Sequence, residues 1–197
     1  MVRERSQEKK ERFLQAALEL FVAQGIENTS TAQIASRAGT ASGTLFLYFP
    51  TKQALVDELA LWLTQQESQS VRQLLAPHMP VREMFFAIWA GSLHWLIAHP
   101  AAFAYAQQTR DPGILSPQVV LQTAREFDFY YLAIQQGLMQ GLLKPYPADL
   151  MGAFLYQSLV AVMSYICRLP QGEPVEPLIQ QGFALFWDGI RQQEVQQ

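Results

Sequence analysis

Between residues 13 and 50, two glycines and a proline cut the chain into three pieces that suit small helices and little else. The first piece carries Phe13, Ala16, Ala17, Leu20 and Phe21, an apolar stripe at helical spacing. Gly25 follows, where a left-handed residue ends a helix. Ser30, with Gln33 three residues on, has the form of a capping box and opens a second helix. Its inner side is Ile34, Ala35 and Ala38, and Gly39 stops it. A third helix spans residues 41–48, and Pro50 prevents its continuing. Two short helices joined by a three-residue turn containing glycine are the plan of a helix-turn-helix.

Beyond residue 50 the predicted helices lengthen. Thr51 caps one that carries Leu55, Leu59 and Leu63 along a side and ends near residue 78. Others cover residues 80–98, 100–108, 117–143, 149–167 and 178–193, the break before 117 being set by Asp111-Pro112-Gly113. No run alternates apolar and polar residues as a strand would. The expectation is an all-α chain of about nine helices in two domains, residues 1–50 and 51–197.

Composition closes off several classes. At 197 residues and 50% hydrophobic, the chain has ample material for a core. One cysteine, Cys167, allows no internal disulfide and no cysteine-based zinc cluster, and reads as a buried small side chain. The three histidines lack metal-binding spacing, and no serine-histidine-acid grouping or phosphate loop is present, so neither an enzyme nor a cofactor is expected. The charged start, residues 1–12, excludes a secretory leader there and points to the cytoplasm. Residues 150–167 carry no formal charge, enough length to cross a bilayer, yet Gly152, Gln157, Ser158 and Ser164 interrupt them. The reading is a helix buried in a soluble core or a dimer interface, with no membrane partner. Within a net charge of -3, residues 1–55 hold seven bases against five acids, a small positive module on a negative body. Arg3, Arg5, Lys9 and Lys10 form a solvated arm able to neutralise phosphates.

A helix that enters a DNA groove needs small or hydrogen-bonding residues on its outer side. Ser42, Gly43 and Thr44 meet that need, and a glycine inside a helix, costing about 1 kcal/mol relative to alanine, invites a close-approach explanation. Tyr48 either reaches a phosphate through its hydroxyl or serves as a partly buried core aromatic. Lys52 adds a charge, Leu45 faces inward, and Leu47 faces outward where it can touch a thymine methyl. Ile34-Ala35-Ser36-Arg37-Ala38-Gly39, then Gly43-Thr44-Leu45-Phe46-Leu47-Tyr48-Phe49, then Lys52 and Leu55, closely resemble the amino-terminal region of TetR-family transcriptional regulators. The resemblance covers about residues 7–66. It implies DNA contacts from Ser42, Thr44, Tyr48 and Lys52, with Ser30 or Thr31 reaching a phosphate. Three positions depart from the family pattern: Thr40 replaces a common buried valine, Ala41 a capping serine and Phe46 a tyrosine.

The same resemblance sets expectations for the larger domain. An effector pocket would have Trp89, Phe103, Phe127, Tyr130, Tyr131 and Met163 as its wall and Gln107, Tyr105, Tyr156 and His94 as its polar groups. Each of these aromatics singly also suits an ordinary core. Leu155, Leu159, Met163, Phe183 and Phe186, with Gly152 and Gly182 permitting close helix approach, would pair two subunits. The implied protein is a homodimeric regulator, more often a repressor, that binds a near-palindromic double-stranded DNA operator and is released by a small, mainly apolar effector. The alternative is a helical ligand carrier or scaffold whose helix-turn-helix has lost specific DNA binding.

Overall fold

The computed structural model of the chain describes residues 2–170 and 172–193. These residues form ten α-helices: α1 (Val2–Gln24), α2 (Thr31–Arg37), α3 (Ser42–Tyr48), α4 (Lys52–Arg72), α5 (Val81–Ala98), α6 (Pro100–Gln108), α7 (Pro117–Glu126), α8 (Asp128–Met139), α9 (Ala148–Ile166) and α10 (Glu176–Ile190). The side chains of Arg3 and Arg5 lie outside those described.

The helices gather into two compact units, residues 1–66 with 99–126, and residues 67–98 with 127–197. The boundary therefore falls inside α4, and α6 and α7 join the short amino-terminal helices. The reason lies in side chains that residues 1–50 do not contain. Tyr105 of α6 stacks on Phe21 of α1, with ring centroids 6.1 Å apart. Its buried hydroxyl donates to the Val56 carbonyl at 2.7 Å, and burial raises that hydroxyl's pKa. Gln108 Nε2 donates at 2.8 Å to the Phe21 carbonyl, which also accepts from the Gly25 N–H, and so ties α6 to the last turn of α1. Asp57 accepts from the Ser116 backbone N–H at 3.0 Å, which fastens the start of α7.

In the second unit α5 packs against α8, α9 and α10. Trp89 is fully buried, stacks on Phe186 at 5.7 Å and donates its indole N–H to the Ile179 carbonyl at 2.9 Å. Tyr130 meets the Phe85 ring edge-on and donates its hydroxyl to the Met151 carbonyl at 2.9 Å. α9, whose one formally charged residue is Asp149 in its first turn, has the length and hydropathy of a membrane span, but Met151, Leu155, Leu159 and Met163 along one side are buried in this unit. The helix expected over residues 117–143 is broken at Phe127 into α7 and α8, one in each unit. No glycine or proline marks the break, so local sequence carries the periodicity straight through it.

Gly182 is packed from both sides: a Cβ there would lie 2.7 Å from a Val162 methyl and 2.8 Å from the Trp89 ring. Gly182→Ala is expected to destabilise the protein by about 1–3 kcal/mol through overpacking, measured as a lower unfolding midpoint in urea.

Candidate nucleic-acid interface and buried polar groups

Residues 25–52 build a small scaffold around α3. Gly25, with φ +88°, turns the chain out of α1. Thr29 is buried and donates to the Gly25 carbonyl at 2.8 Å. The capping box forms as the sequence suggests: Ser30 Oγ accepts from the Gln33 N–H at 3.2 Å, and Gln33 Oε1 accepts from the Ser30 N–H at 2.8 Å. Arg12 reaches across from α1 to donate to the Ala38 carbonyl, and Gly39 takes φ +69° beside it. Thr40 replaces a common valine yet loses nothing, because its N–H and hydroxyl both donate to the Ala35 carbonyl, at 2.9 and 3.3 Å.

α3 is seven residues long and Leu45 is its one fully buried side chain. The opposite side is open. Leu47 is 83% exposed and Phe46 45%. Ser42 and Thr44 are half-buried, Ala41 and Gly43 exposed, and a Cβ at Gly43 would meet nothing within 4 Å. Ala41 stands at the helix start with no side-chain cap, as expected from the missing serine. Tyr48 is half-buried, as the reading of a partly buried core aromatic expects. Its ring lies 5.6 Å from Phe13, while its hydroxyl is near enough to the surface to accept from Ser6 Oγ at 3.4 Å. Lys52 donates to the Glu27 carbonyl at 3.3 Å, Ser30 is exposed and Thr31 half-buried.

This is the arrangement that a groove-entering helix requires, and comparison with known proteins agrees. Residues 13–59 match the family model of bacterial regulatory proteins of the tetR family. A solved structure of a tetR family transcription regulator from Shewanella sp. PV-4 is 31% identical, superposes with a TM-score of 0.87, and covers 94% of this chain and 99% of its own. The chain belongs to the TetR family. A second TetR-family structure, from Marinobacter aquaeolei VT8, has the same fold with a TM-score of 0.86 at 21% identity, covering 97% of this chain and 100% of its own. The HTH-type transcriptional regulator YhgD of Bacillus subtilis is 23% identical over 79% of this chain and 83% of its own. Like its TetR-family relatives, the protein is a DNA-binding transcriptional regulator and not an enzyme.

The residues expected to line an effector pocket are scattered. Phe103, Tyr105 and Gln107 lie in the first unit, the others in the second. Trp89, Tyr130 and Met163 are core side chains, and Phe127 is half-buried. Tyr131 and Tyr156 are exposed, the former donating to Asp149 at 3.3 Å, and His94 is an exposed partner of Glu176 at 3.1 Å. Cys167, read as buried, is exposed. The expected dimer residues also move. Leu155, Leu159, Gly182, Phe183 and Phe186 are all buried within the protomer, and Gly152 fits against Tyr130. A 3.6-residue stripe cannot tell which of a helix's two apolar sides meets its own core.

Sequence reasoning missed Glu67. Its neighbours Gln65, Gln66 and Ser68 are polar, yet it is half-buried and hydrogen-bonded to the buried Ser92 of α5. Burial pushes its carboxyl up to about 7, against the opposing effect of the Ser92 bond. The folded protein thus holds this proton to about pH 7, whereas the unfolded chain releases it near 4.5. The associated stability is complete below pH 4.5 and is lost as the pH rises through 7. Glu67→Gln is expected to flatten that decline and to be more stable than the parent at pH 8, by at most about 3 kcal/mol, in unfolding midpoints taken from pH 5 to 8.

Proposed function

We propose that this TetR-family protein is a homodimeric repressor that places two copies of α3 in successive major grooves of a near-palindromic operator and is released by a small effector. The observation that carries the reading is Gly43. It lies in the first turn of α3, where alanine would serve the helix better, and no neighbour in the protein needs the space. A partner from outside that approaches the backbone does. Ser42, Thr44, Tyr48 and Lys52, with Ser30 or Thr31 on the bracing helix, would hold phosphates and base edges. Ala41 and Phe46 would border them, and Leu47 would read a thymine methyl.

For pairing, the outward sides of α9 and α10 offer Phe154, Tyr165 and a 79% exposed Leu185. Phe154 leans over Gly189, where a Cβ would lie 3.2 Å from its ring, so the two helices present one joined apolar surface. For effector binding, Gln107 Nε2 is buried with no hydrogen-bond partner, a donor that a ligand acceptor would satisfy. The effector must favour the form that misfits the operator, since equal affinity for both forms shifts nothing. A swing from 1:99 to 99:1 needs about a 10^4-fold preference.

Selection from random duplexes tests the reading. The expected outcome is an inverted repeat with half-sites about one helical turn apart. Weak, fully salt-sensitive binding without a repeat would instead identify a scaffold that has lost its operator. Gly43→Ala is expected to fold at least as stably as the parent and to lose at least tenfold in operator affinity by gel shift. Leu185→Glu is expected to shift the protein toward monomer in sedimentation equilibrium.

A further inference from the structure

We propose that α1 supplies a phosphate-binding site of its own to the DNA interface, formed by Ser6 and Lys9 beside the Tyr48 hydroxyl. This rests on the reading above that α3 enters the groove, and it adds a contact from outside the helix-turn-helix.

The geometry is local to the first unit. Ser6 is exposed, and its Oγ donates to the Tyr48 hydroxyl at 3.4 Å. Phe13, two turns along the same side of α1, packs on Tyr48 and Phe49 with ring centroids 5.6 and 6.3 Å apart. Arg12 donates to the Ala38 carbonyl and lies against Gly39, in the turn that precedes α3. The first turns of α1 therefore run alongside α3, touching the turn before it and its last residue. Lys9 is three residues from both Ser6 and Arg12, so helical rotation places it on the strip between those two contacts. Of the nearby acids, Glu11 lies opposite that strip and Glu8 about a quarter-turn round from Lys9, both exposed.

What singles out Lys9 is that the protein makes no use of its charge. Lys10 pairs with Glu58 of α4, Arg12 donates to the Ala38 carbonyl, Arg37 pairs with Glu19 and Lys52 donates to the Glu27 carbonyl. Among the described residues, Lys9 is the one cation of residues 6–66 with no acceptor in the protein. It is nonetheless half-buried, the state of a lysine that lays its stem on the protein and keeps its ammonium outside. Lys9 and Lys10, adjacent in the sequence, thus have different duties: one is free, the other braces α4. Ser6 contributes through Tyr48. Because the phenol oxygen accepts from Ser6, its own O–H is left to donate elsewhere. A hydroxyl donor beside an unmatched ammonium suits an anion, and on duplex DNA that anion is a phosphate.

A lysine that neutralises a phosphate releases condensed counterions, so the test reads the salt dependence of binding. Affinity of the full-length protein is measured by fluorescence anisotropy over a series of KCl concentrations, on the selected operator and on a random duplex. Each engaged Lys9 adds about 0.9 to the slope of log affinity against log salt. In Lys9→Gln the slope is therefore expected to fall by about 2 for an operator holding two subunits, with the selected sequence unchanged. Lys9→Arg is expected to keep the slope, and so is Lys10→Gln, whose charge is spent on Glu58. Ser6→Ala and Tyr48→Phe are each expected to weaken binding severalfold. Combined, they should weaken it by less than the product of the two effects, because both act on one donor.

An unchanged slope in Lys9→Gln, with an unfolding midpoint that shows the variant folded, overturns the site. Equal losses of slope in Lys9→Gln and Lys10→Gln overturn it as well, because they identify diffuse attraction by a basic helix. Independent effects of Ser6→Ala and Tyr48→Phe overturn the part given to Ser6. If the parent selects no inverted repeat, the operator reading falls, while a slope on the random duplex that depends on Lys9 still supports the α1 contact.

Discussion

Everything the molecule offers to DNA depends on the burial of one leucine. A seven-residue helix has too few internal hydrogen bonds to persist alone in water. α3 therefore exists because Leu45, fully buried, and Phe49 behind it anchor the helix to its own unit. The turn before it is fixed by two atoms of Thr40 and by Arg12, all directed at carbonyls of α2 or its end. With Leu45 anchored inward and Tyr48 resting on Phe13, the outer side of the helix is left free of core packing. That is why Leu47 and Phe46 can stand exposed and Gly43 can remain bare. Rigidity on the inner side and chemical freedom on the outer side come from the same placement.

The second constraint is a charge rather than a contact. α4 is a single helix through which the chain passes from one unit to the other between Gln66 and Glu67. The first residue beyond that passage is the half-shielded acid with one hydroxyl partner. Such a group is far more costly to leave unmatched than an apolar misfit, because its ionised form loses the solvation that water gives. Whatever stabilises the anion acts on α4 directly, and α4 begins at Lys52, next to the segment that ends α3.

Legibility followed the range of the interactions involved. The helix-turn-helix was readable because its determinants are local: a stripe within α1, a capping box, two glycines with positive φ, and Pro50. Ends without such a local stop were not: the helix expected to run to about residue 78 stops at Arg72. The division into units was not, because Tyr105 joins α6 to Phe21 across more than eighty residues and nothing in its surroundings in the sequence marks that pairing. The break at Phe127 escaped notice on the same ground. Glu67 was hidden differently: its neighbours are polar, and only the approach of Ser92 and Gly91 on another helix withdraws it from water.

The two glycines that stood out most in the sequence show what that limit means physically. Both Gly43 and Gly182 declare that a side chain is unwelcome, and a sequence contains no more than that declaration. Gly182 was read as a close approach between subunits, but its space is taken by Val162 and Trp89 of the same protomer. Gly43 was read as a close approach to DNA, and its space is empty in the isolated chain. An absent Cβ explained by internal packing concerns stability, whereas one that neither packing nor a positive φ explains leaves room for a partner. The distinction requires knowing which atoms a Cβ would meet, and for α3 the answer directs attention outward.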